Sequence, residues 1–264
     1  MIEDYYQKKY VAYEILKGCT NRDFSMLGKN NANIRGLRVR CLFDLYRVLK
    51  LANWEKHKQN IYRSVATLSE IPTFTFNPKK RSAETGVWYK DEYSNYVVKY
   101  DLFFDFDKEE KDSWEDLLKE VEGFKNYLEE YKVPYYLLFS GNKGFQIIIS
   151  GDYLDIKEIR EGNVYPHKEI VEKIKEVFNL KFLDLANNGV NSRLCKIPYS
   201  IVGENVALPL NDEQFKFFRV EDMKLEKVER NVRLIRRGWI ERFETLTIEE
   251  KRRNVKEFIN MITF

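Results

Sequence analysis

The chain has 264 residues, of which 44% are hydrophobic and 33% charged, and its formal net charge is +3, which is the composition of a globular protein with an ample core. No run reaches the ~18 apolar residues needed to cross a membrane, and the acidic start Met1–Asp4 lacks the basic-then-apolar order of a signal peptide. Cys19, Cys41 and Cys195 are scattered and odd in number, which indicates neither a disulfide framework nor structural zinc, and we expect an intracellular, cytoplasmic protein.

Positive charge is concentrated in the N-terminal part of the chain. Between Lys17 and Arg63 there are eleven basic residues and three acidic ones, a net charge of +8. Basic residues interleaved with aromatic ones suit phosphate contact and base stacking, although a solvated basic surface above core aromatics explains the pattern equally well. We expect the chain up to about residue 60 to be largely helical or irregular, with a helix over Val39–Leu51.

A strand with two carboxylates follows this segment. Residues 73–81 are expected to form a loop, and Tyr93–Phe106 is rich in strand formers. Because side chains alternate along a strand, Asp105 and Asp107 point to the same side. Two like charges there repel each other and are costly to desolvate, and a divalent cation held between them would remove both problems. The pair indicates a metal site, although many Asp-x-Asp pairs at strand ends only face solvent.

Helices and strands alternate after the acidic strand. Apolar residues at helical spacing from Trp114 to Leu128 predict a helix with Asp112 or Ser113 as its N-cap. Other elements are a strand over Tyr135–Phe139, a strand over Phe145–Ile149, a helix from Pro166, strands near Phe182–Leu185, Arg193–Ile197 and Val206–Leu210, and a terminal helix over Thr247–Phe264.

This order of elements predicts the fold class. Strand, helix, strand pair, helix, strand is an α+β arrangement of split-βαβ type with an antiparallel or mixed sheet. The chain has no internal repeat, low-complexity tract or flexible linker, which favours a single compact domain over residues 1–264. Within it we distinguish a basic N-terminal part (1–92), a core (93–210) and a C-terminal extension (211–264).

Two further groups of residues carry polar chemistry. The turn Ser140–Gly144 joins two apolar strands, and its amides, hydroxyl and ammonium can donate hydrogen bonds to a phosphate, although most such turns are only turns. Asp184 is another carboxylate inside an apolar run, or alternatively a turn former at a strand end. Arg193, Lys196 and Ser200 follow it. The chain thus has, in this order, an acidic pair, a glycine–lysine turn, a third acid and basic residues. Such a combination is hard to explain as a set of unrelated structural features.

Together these segments resemble the motifs of the archaeo-eukaryotic primase (primase–polymerase) superfamily, most closely the small catalytic subunit of DNA primase. Phe104–Asp107 matches the family's Asp-x-Asp strand, residues 140–146 match its Ser-Gly-x-x-Gly-x-His hairpin except at the end, and Asp184 with residues 193–200 matches its third motif. Asn21–Ser25 and Ile61–Ala66 resemble two upstream segments of the family. The resemblance spans about residues 20–210 and implies a primase-type catalytic fold, in which an RRM-like sheet carries the acidic triad and is flanked by helices.

The resemblance also implies an activity, a DNA-template-dependent nucleotidyltransferase in which Asp105, Asp107 and Asp184 hold two Mg²⁺ or Mn²⁺ ions. Expected contacts with the nucleotide come from Ser140, Gly141, Asn142, Lys143, Gly144, Gln146, Arg193, Lys196 and Ser200. Expected contacts with template or primer come from Arg22, Arg35, Arg38, Arg40 and Arg63. The expected partners are DNA and nucleoside triphosphates rather than a membrane, with association with the nucleoid in a prokaryote. Because the chain has no helicase or zinc module, an outside large primase subunit or helicase is a further expected partner.

Two departures from the family pattern leave other functions open. The family's two histidines that contact the triphosphate are replaced by Gln146, which can donate a hydrogen bond but carries no charge, and by Val202, which can do neither. A catalytically weak primase-like subunit that binds nucleic acid or nucleotide with a partner is therefore a second hypothesis. A different metal phosphotransferase or a nuclease that uses the same three acids is a third.

Overall fold

The structure is a computed structural model that describes residues 2–27, 33–51, 60–71, 93–154, 159–160, 163–186, 188–190, 192–231 and 241–263. The loop expected over residues 73–81 lies outside these residues. The chain divides into two compact units: unit 1 comprises residues 1–64, 136–146 and 194–241, and unit 2 comprises residues 65–135, 147–193 and 242–264. Each unit takes residues from all three parts distinguished in the sequence, and the single domain with that three-part division stays a prediction.

The elements make up a mixed α+β structure. The helices are α1 (Ile2–Gln7), α2 (Lys9–Cys19), α3 (Leu42–Leu51), α4 (Trp114–Glu130), α5 (Tyr165–Phe178), α6 (Asp212–Lys216), α7 (Leu225–Arg230) and α8 (Ile248–Thr263). The strands are β1 (Phe24–Leu27), β2 (Asn33–Leu37), β3 (Asn60–Ser64), β4 (Ala66–Leu68), β5 (Val97–Tyr100), β6 (Leu102–Asp107), β7 (Tyr136–Phe139), β8 (Gly144–Ile149), β9 (Ile159–Arg160), β10 (Asn163–Val164), β11 (Leu183–Asp184), β12 (Leu194–Lys196), β13 (Ile201–Val202), β14 (Asn205–Val206) and β15 (Leu208–Pro209). No described helix is both long enough and apolar enough to cross a membrane.

Unit 1 contains a four-stranded antiparallel sheet in the order β12-β3-β1-β2. At its centre, Arg63 of β3 pairs with Phe24 of β1 on one side and with Cys195 of β12 on the other. The expectation that the first 60 residues are largely helical or irregular is therefore wrong for β1 and β2, whereas the predicted helix is confirmed as α3. Local sequence could not reveal this sheet, because a strand from a distant part of the chain completes it.

In unit 2, one face of β6 packs against helix α4. The helix begins where the Ser113 hydroxyl accepts a hydrogen bond from the Asp116 amide (3.0 Å), as the sequence predicts. Its Phe124 ring lies 4.9 Å from the ring of Phe104 and 5.8 Å from that of Phe106, and both β6 rings are fully buried. Since side chains alternate along a strand, the neighbouring positions of β6 face the other way.

The first turn of α5 carries a buried histidine. His167 is 2% exposed, its Nε2 donates to the Tyr100 carbonyl oxygen (2.8 Å), and its ring meets the Tyr100 ring edge-on at 5.1 Å. The neighbouring Asp101 carboxylate accepts a hydrogen bond from the Gly151 amide (3.0 Å). Burial lowers the pKa of His167 to about 4, against smaller raising effects from the Tyr100 carbonyl and Asp101. This histidine is therefore a neutral structural group.

A five-stranded sheet has the order β11-β6-β8-β7-β15. Strand β8 belongs to unit 1 up to Gln146 and to unit 2 from Ile147, and all six of its residues are buried. β11 pairs antiparallel with β6 in unit 2, and β15 pairs antiparallel with β7 in unit 1. The expected chain order of strand, helix, strand pair, helix, strand is confirmed by β6, α4, β7 with β8, α5 and β11. The RRM-like description of this sheet stays a prediction.

Candidate functional site

Three carboxylates of unit 2 lie on one face of the β6–β11 pair. Asp105 and Asp107 are two residues apart on β6, at partly exposed positions on either side of the buried Phe106. Asp184 lies directly opposite Asp105 in the antiparallel register. Side chains directly opposite each other in such a ladder project to the same side, with Cβ atoms about 5 Å apart. The backbone therefore brings together the three acids that the sequence singled out.

Arg193 is the counter-ion of Asp105. Its Nη2 donates to Oδ2 of Asp105 (2.8 Å), and the two side chains are only 15% and 14% exposed. Its Nη1 donates to the Ala186 carbonyl oxygen (2.8 Å), and its guanidinium carbon lies 5.6 Å from the centre of the Phe103 ring. Phe103 is two residues before Asp105, and the alternation of side chains along a strand, which the sequence alone indicates, places it on the same face. Arg193 thus binds the carboxylate group directly, in addition to its expected role toward a nucleotide.

The chemistry of these donors suits a hard divalent cation, since Mg²⁺ and Mn²⁺ prefer carboxylate oxygens. The strand register supports the fit, because it places all three carboxylates on one face. The side chains, however, are arranged around protein partners: Asp105 binds Arg193, and Oδ1 of Asp184 accepts from the Ala186 amide (2.8 Å). Accordingly, no group of three or more His, Cys, Asp or Glu side chains in the described residues is arranged to hold a metal ion. The donor set fits, and Arg193 would compete with a cation for Asp105.

The glycine turn lies in unit 1 and closes tightly against the β13–β14 hairpin. Its ends are joined by a hydrogen bond from the Ser140 amide to the Gly144 carbonyl oxygen (2.9 Å). Gly141 has a positive φ of 86°, and a Cβ there would lie 2.7 Å from Cβ and Cγ2 of Val202. Asn142 and Lys143 are exposed at the tip. The turn therefore needs glycine at 141 for both its conformation and its space, and it offers its tip to solvent.

The two positions that differ from the family pattern are both buried. Gln146 is 4% exposed within β8, and Val202 is 7% exposed and packs against Gly141. Ser200 is fully buried, and its Oγ has no hydrogen-bond partner among the described residues. Apolar packing with Gly141 therefore surrounds Val202, the position at which the resemblance would predict a second histidine.

Lys196 also lies in unit 1, on β12, opposite Tyr62 of β3. Its Nζ lies 4.0 Å from the centre of the Tyr62 ring and donates to the Tyr62 hydroxyl. Both residues are partly exposed. The sequence identified Lys196 but not Tyr62 as its neighbour, since no local pattern indicates that β3 and β12 are adjacent.

The five arginines expected to contact nucleic acid are not equivalent in the structure. Arg63 is 4% exposed in the centre of the unit 1 sheet, so it offers no surface to DNA. Arg22 donates to the Ser64 carbonyl oxygen (3.1 Å), which gives it a structural role. Arg38 is half-buried and Arg40 is exposed, while the side chain of Arg35 lies outside the described part. Of the four arginines whose side chains the structure describes, Arg40 alone is fully exposed, as the expectation requires.

Comparison with known proteins identifies the fold. No known family pattern matches the sequence, and no curated protein sequence matches it. Among solved structures, the chain is similar to the polymerase domain of Mycobacterium tuberculosis ligase D in complex with DNA, with a TM-score of 0.55 and 15% sequence identity over 89% of this chain and 91% of that one. At this identity the likeness shows the fold alone, which is that of this polymerase domain. It does not single out the small primase subunit.

Proposed function

We propose that this protein is a DNA-template-directed nucleotidyltransferase of the primase–polymerase type. The observation that carries the proposal is the register of β11 against β6, which places Asp184 opposite Asp105 and on the same face as Asp107. That arrangement occurs in a chain with the fold of a polymerase domain. The reaction joins the 3′-hydroxyl oxygen of a strand to the α-phosphorus of a nucleoside triphosphate, with loss of the hydroxyl proton and release of pyrophosphate.

The three aspartates would hold two Mg²⁺ or Mn²⁺ ions, which when bound supply activation of the hydroxyl and stabilisation of charge on the phosphates. Arg193 would release Asp105 and turn its guanidinium, which has five N–H donors, toward phosphate oxygens. Lys143, Lys196 and the amides of the glycine turn would donate to the triphosphate. DNA and nucleoside triphosphates are thus proposed as substrates, and a large primase subunit or helicase stays a predicted partner.

The direct test is template-directed incorporation of labelled nucleotides with Mg²⁺ or Mn²⁺ by Asp105→Asn, Asp107→Asn and Asp184→Asn. We expect each change to lower incorporation by at least about 100-fold, because each removes a charged ligand of the reaction centre. Glu110→Gln is the matched control, since Glu110 is an exposed acid three residues after Asp107. Incorporation by Asp105→Asn at the parent rate would rule out the proposed site.

A specific observation favours the second candidate, a primase-like subunit that binds nucleic acid or nucleotide but polymerises poorly. Val202 packs against Gly141, and Gln146 is buried, so neither family histidine has a charged replacement. Salt-sensitive DNA binding without incorporation by the pure protein would support this candidate. Degradation of labelled DNA without added nucleotides would support a nuclease instead.

A further inference from the structure

A cavity of about 690 Å³ lies between helices α5 and α8 of unit 2. Cavities that hold small molecules usually have volumes of about 300–1,000 Å³, so this one is large enough for such a ligand. Residues at helical spacing line it from both sides, namely Pro166, Ile170 and Lys173 of α5 and Arg252, Val255 and Ile259 of α8. The cavity is therefore built from one face of each helix.

Both helices lie on the side of the sheet opposite the carboxylates. The ring of Phe124 in α4 lies 4.9 Å from that of Phe104 in β6 and 5.9 Å from that of Phe178 in α5. The ring of Tyr127, also in α4, lies 6.2 Å from that of Phe258 in α8. Helices α4, α5 and α8 thus form one layer on the Phe104 face of β6, whereas the three carboxylates are on the other face. The cavity is separate from the candidate functional site.

The interior of the cavity is apolar except for one histidine. Val255 is fully buried and Ile170 almost so, and both line the cavity together with the buried His167. Because Nε2 of His167 donates to the Tyr100 carbonyl oxygen, Nδ1 of the neutral ring is an acceptor. This Nδ1 has no hydrogen-bond partner among the described residues. A buried acceptor without a partner is costly, so a ligand with an N–H or O–H group would gain a stabilising contact there.

The exposed residues of the lining, which form the rim of the cavity, carry mostly positive charge. Arg252 and Lys256 lie one turn apart on α8 and are both exposed. Nε of Arg252 donates to the Asp152 carbonyl oxygen (3.0 Å), while its Nη1 and Nη2 and the Nζ of Lys256 form no bond within the described part of the chain. On α5, Lys173 is in an ion pair within its own helix, and Glu169 is the acid of the rim. Two adjacent cations with open donors favour an anionic group at the rim.

We propose that this cavity binds a small amphipathic organic anion. Its apolar body lies between Ile170 and Val255, and an N–H or O–H group of the ligand donates to Nδ1 of His167. Its anionic group, a carboxylate, phosphate or sulfonate, accepts hydrogen bonds from Arg252 and Lys256. An uncharged compound would leave these cations unused, and a nucleoside triphosphate would bury its polar sugar among aliphatic side chains. The site uses neither the carboxylates nor DNA, so it goes beyond the proposed function.

The probe for this site is anilinonaphthalene sulfonate, which has an apolar body, an N–H group and one negative charge, and fluoresces more strongly in apolar surroundings. Phenylnaphthylamine has the same body and N–H group without the sulfonate, and serves as the matched neutral ligand. Both are titrated into the full chain with the metal chelated and without nucleotide or DNA. We expect the sulfonate dye to bind saturably, with one molecule per chain.

Lys256→Glu should weaken the sulfonate dye at least about 10-fold, because it replaces a donor to the anion by a like charge. The same change should alter phenylnaphthylamine binding less than about twofold. Arg253→Glu is the matched control, since Arg253 is an exposed base of the same helix that does not line the cavity. At about 0.15 M salt, where separated surface charges are screened, it should change binding of either dye less than about twofold.

His167 provides a second readout at the cavity itself. The chain has two histidines, His57 and His167, so nitrogen-15 labelling of histidine gives few signals, and His57→Gln assigns them. Saturating sulfonate dye should shift the Nδ1 signal of His167 in the parent protein, because Nδ1 gains a hydrogen bond. This measurement needs no substitution at the buried histidine.

Absence of saturable binding, an equal loss in Arg253→Glu, or an unchanged His167 signal at saturation would each overturn the proposal. Displacement of the dye by thymidine triphosphate at the concentration that supports incorporation would also overturn it, because the cavity would then be a nucleotide site. Thermal melts check that Lys256→Glu is folded, and Lys256→Gln gives the same test with a smaller change of charge. Since none of these measurements involves incorporation, failure of this site is distinguishable from failure of the proposed function.

Discussion

At the scale of single residues, Arg193 binds one of the three carboxylates, that of Asp105, directly. Removing it leaves the Asp105 carboxylate without this partner on a face that carries two further acids, so Arg193→Gln should lower the free energy of unfolding by about 3 kcal/mol in chelator, as loss of one partner of a buried pair does. Mn²⁺ should restore more stability to this variant than to the parent, because Arg193 no longer competes for Asp105. Urea unfolding with and without Mn²⁺ measures both effects.

Arg193→Lys provides the comparison for this prediction. Lysine keeps the charge but lacks the two-pronged group that reaches both Asp105 and the Ala186 carbonyl oxygen. We expect intermediate stability and an intermediate response to Mn²⁺. Identical Mn²⁺ responses in the parent and in both variants would show that Arg193 and the cation do not share Asp105.

His167 gives unit 2 a defined sensitivity to acid. Its pKa is lowered to about 4 by burial, whereas the unfolded chain has the ordinary value of about 6.5. Between these values the unfolded state binds more protons, so stability is complete above about pH 6.5 and declines as the pH falls toward 4. The loss should reach roughly 3 kcal/mol, measured as the urea midpoint at a series of pH values.

His167→Gln should remove much of this pH dependence, because glutamine can donate to the Tyr100 carbonyl oxygen and does not titrate. The variant is expected to be less stable than the parent at pH 7 but to lose less stability on acidification. An unchanged slope between pH 6.5 and pH 4 in the variant would assign the acid sensitivity to other groups.

At the level of elements, the contact between the glycine turn and the β13–β14 hairpin leads to a prediction about Gly141, for which Gly203 is the control. Gly141 and Gly203 both have positive φ, but a Cβ at 141 meets Val202 at 2.7 Å, whereas a Cβ at 203 meets nothing within 4 Å. Gly203→Ala should cost about 1 kcal/mol from backbone strain alone. Gly141→Ala should cost about 1–3 kcal/mol more, from overpacking.

Adding Val202→Ala to Gly141→Ala separates the two causes. We expect the double variant to recover only the part of the packing cost that comes from Cγ2 of Val202, because alanine keeps the equally close Cβ, and to recover none of the backbone cost, as a double-mutant cycle of urea unfolding energies would record. If Gly141→Ala and Gly203→Ala are equally stable, the contact with Val202 is not tight in solution.

The elements also differ in how far the sequence alone predicts their structure and their contacts. Helix α4 was predictable because Ser113 and the residues it precedes carry both the cap and the apolar repeat within one segment. The carboxylate face was predictable in part, since alternation along β6 relates Asp105 to Asp107. The pairing of Asp105 with Arg193, and that of Lys196 with Tyr62, required knowledge of which distant strands are neighbours, which short-range patterns do not contain.

For the whole molecule, each unit is built from three separate stretches of the chain, which predicts whether a fragment of the chain can fold alone. A fragment of residues 1–135 holds only the first segment of each unit. Unit 1 then lacks β12, which pairs with β3, and unit 2 lacks β11, which pairs with β6. We expect no cooperative urea transition from this fragment, monitored by circular dichroism, and recovery of one when residues 136–264 are co-expressed. A cooperative transition of the fragment alone would show that these pairings are dispensable.

The short strand β11 also sets a length requirement on the chain. It consists of two residues, and only residues 179–182 connect it to helix α5. One inserted or deleted residue in this connection would shift the register by one position and turn Asp184 to the opposite face of the sheet. The number of residues between the end of the helix and β11 therefore determines on which face of the sheet the third carboxylate lies. In diverged copies of this chain, the number of residues in that connection should therefore vary less than their identities.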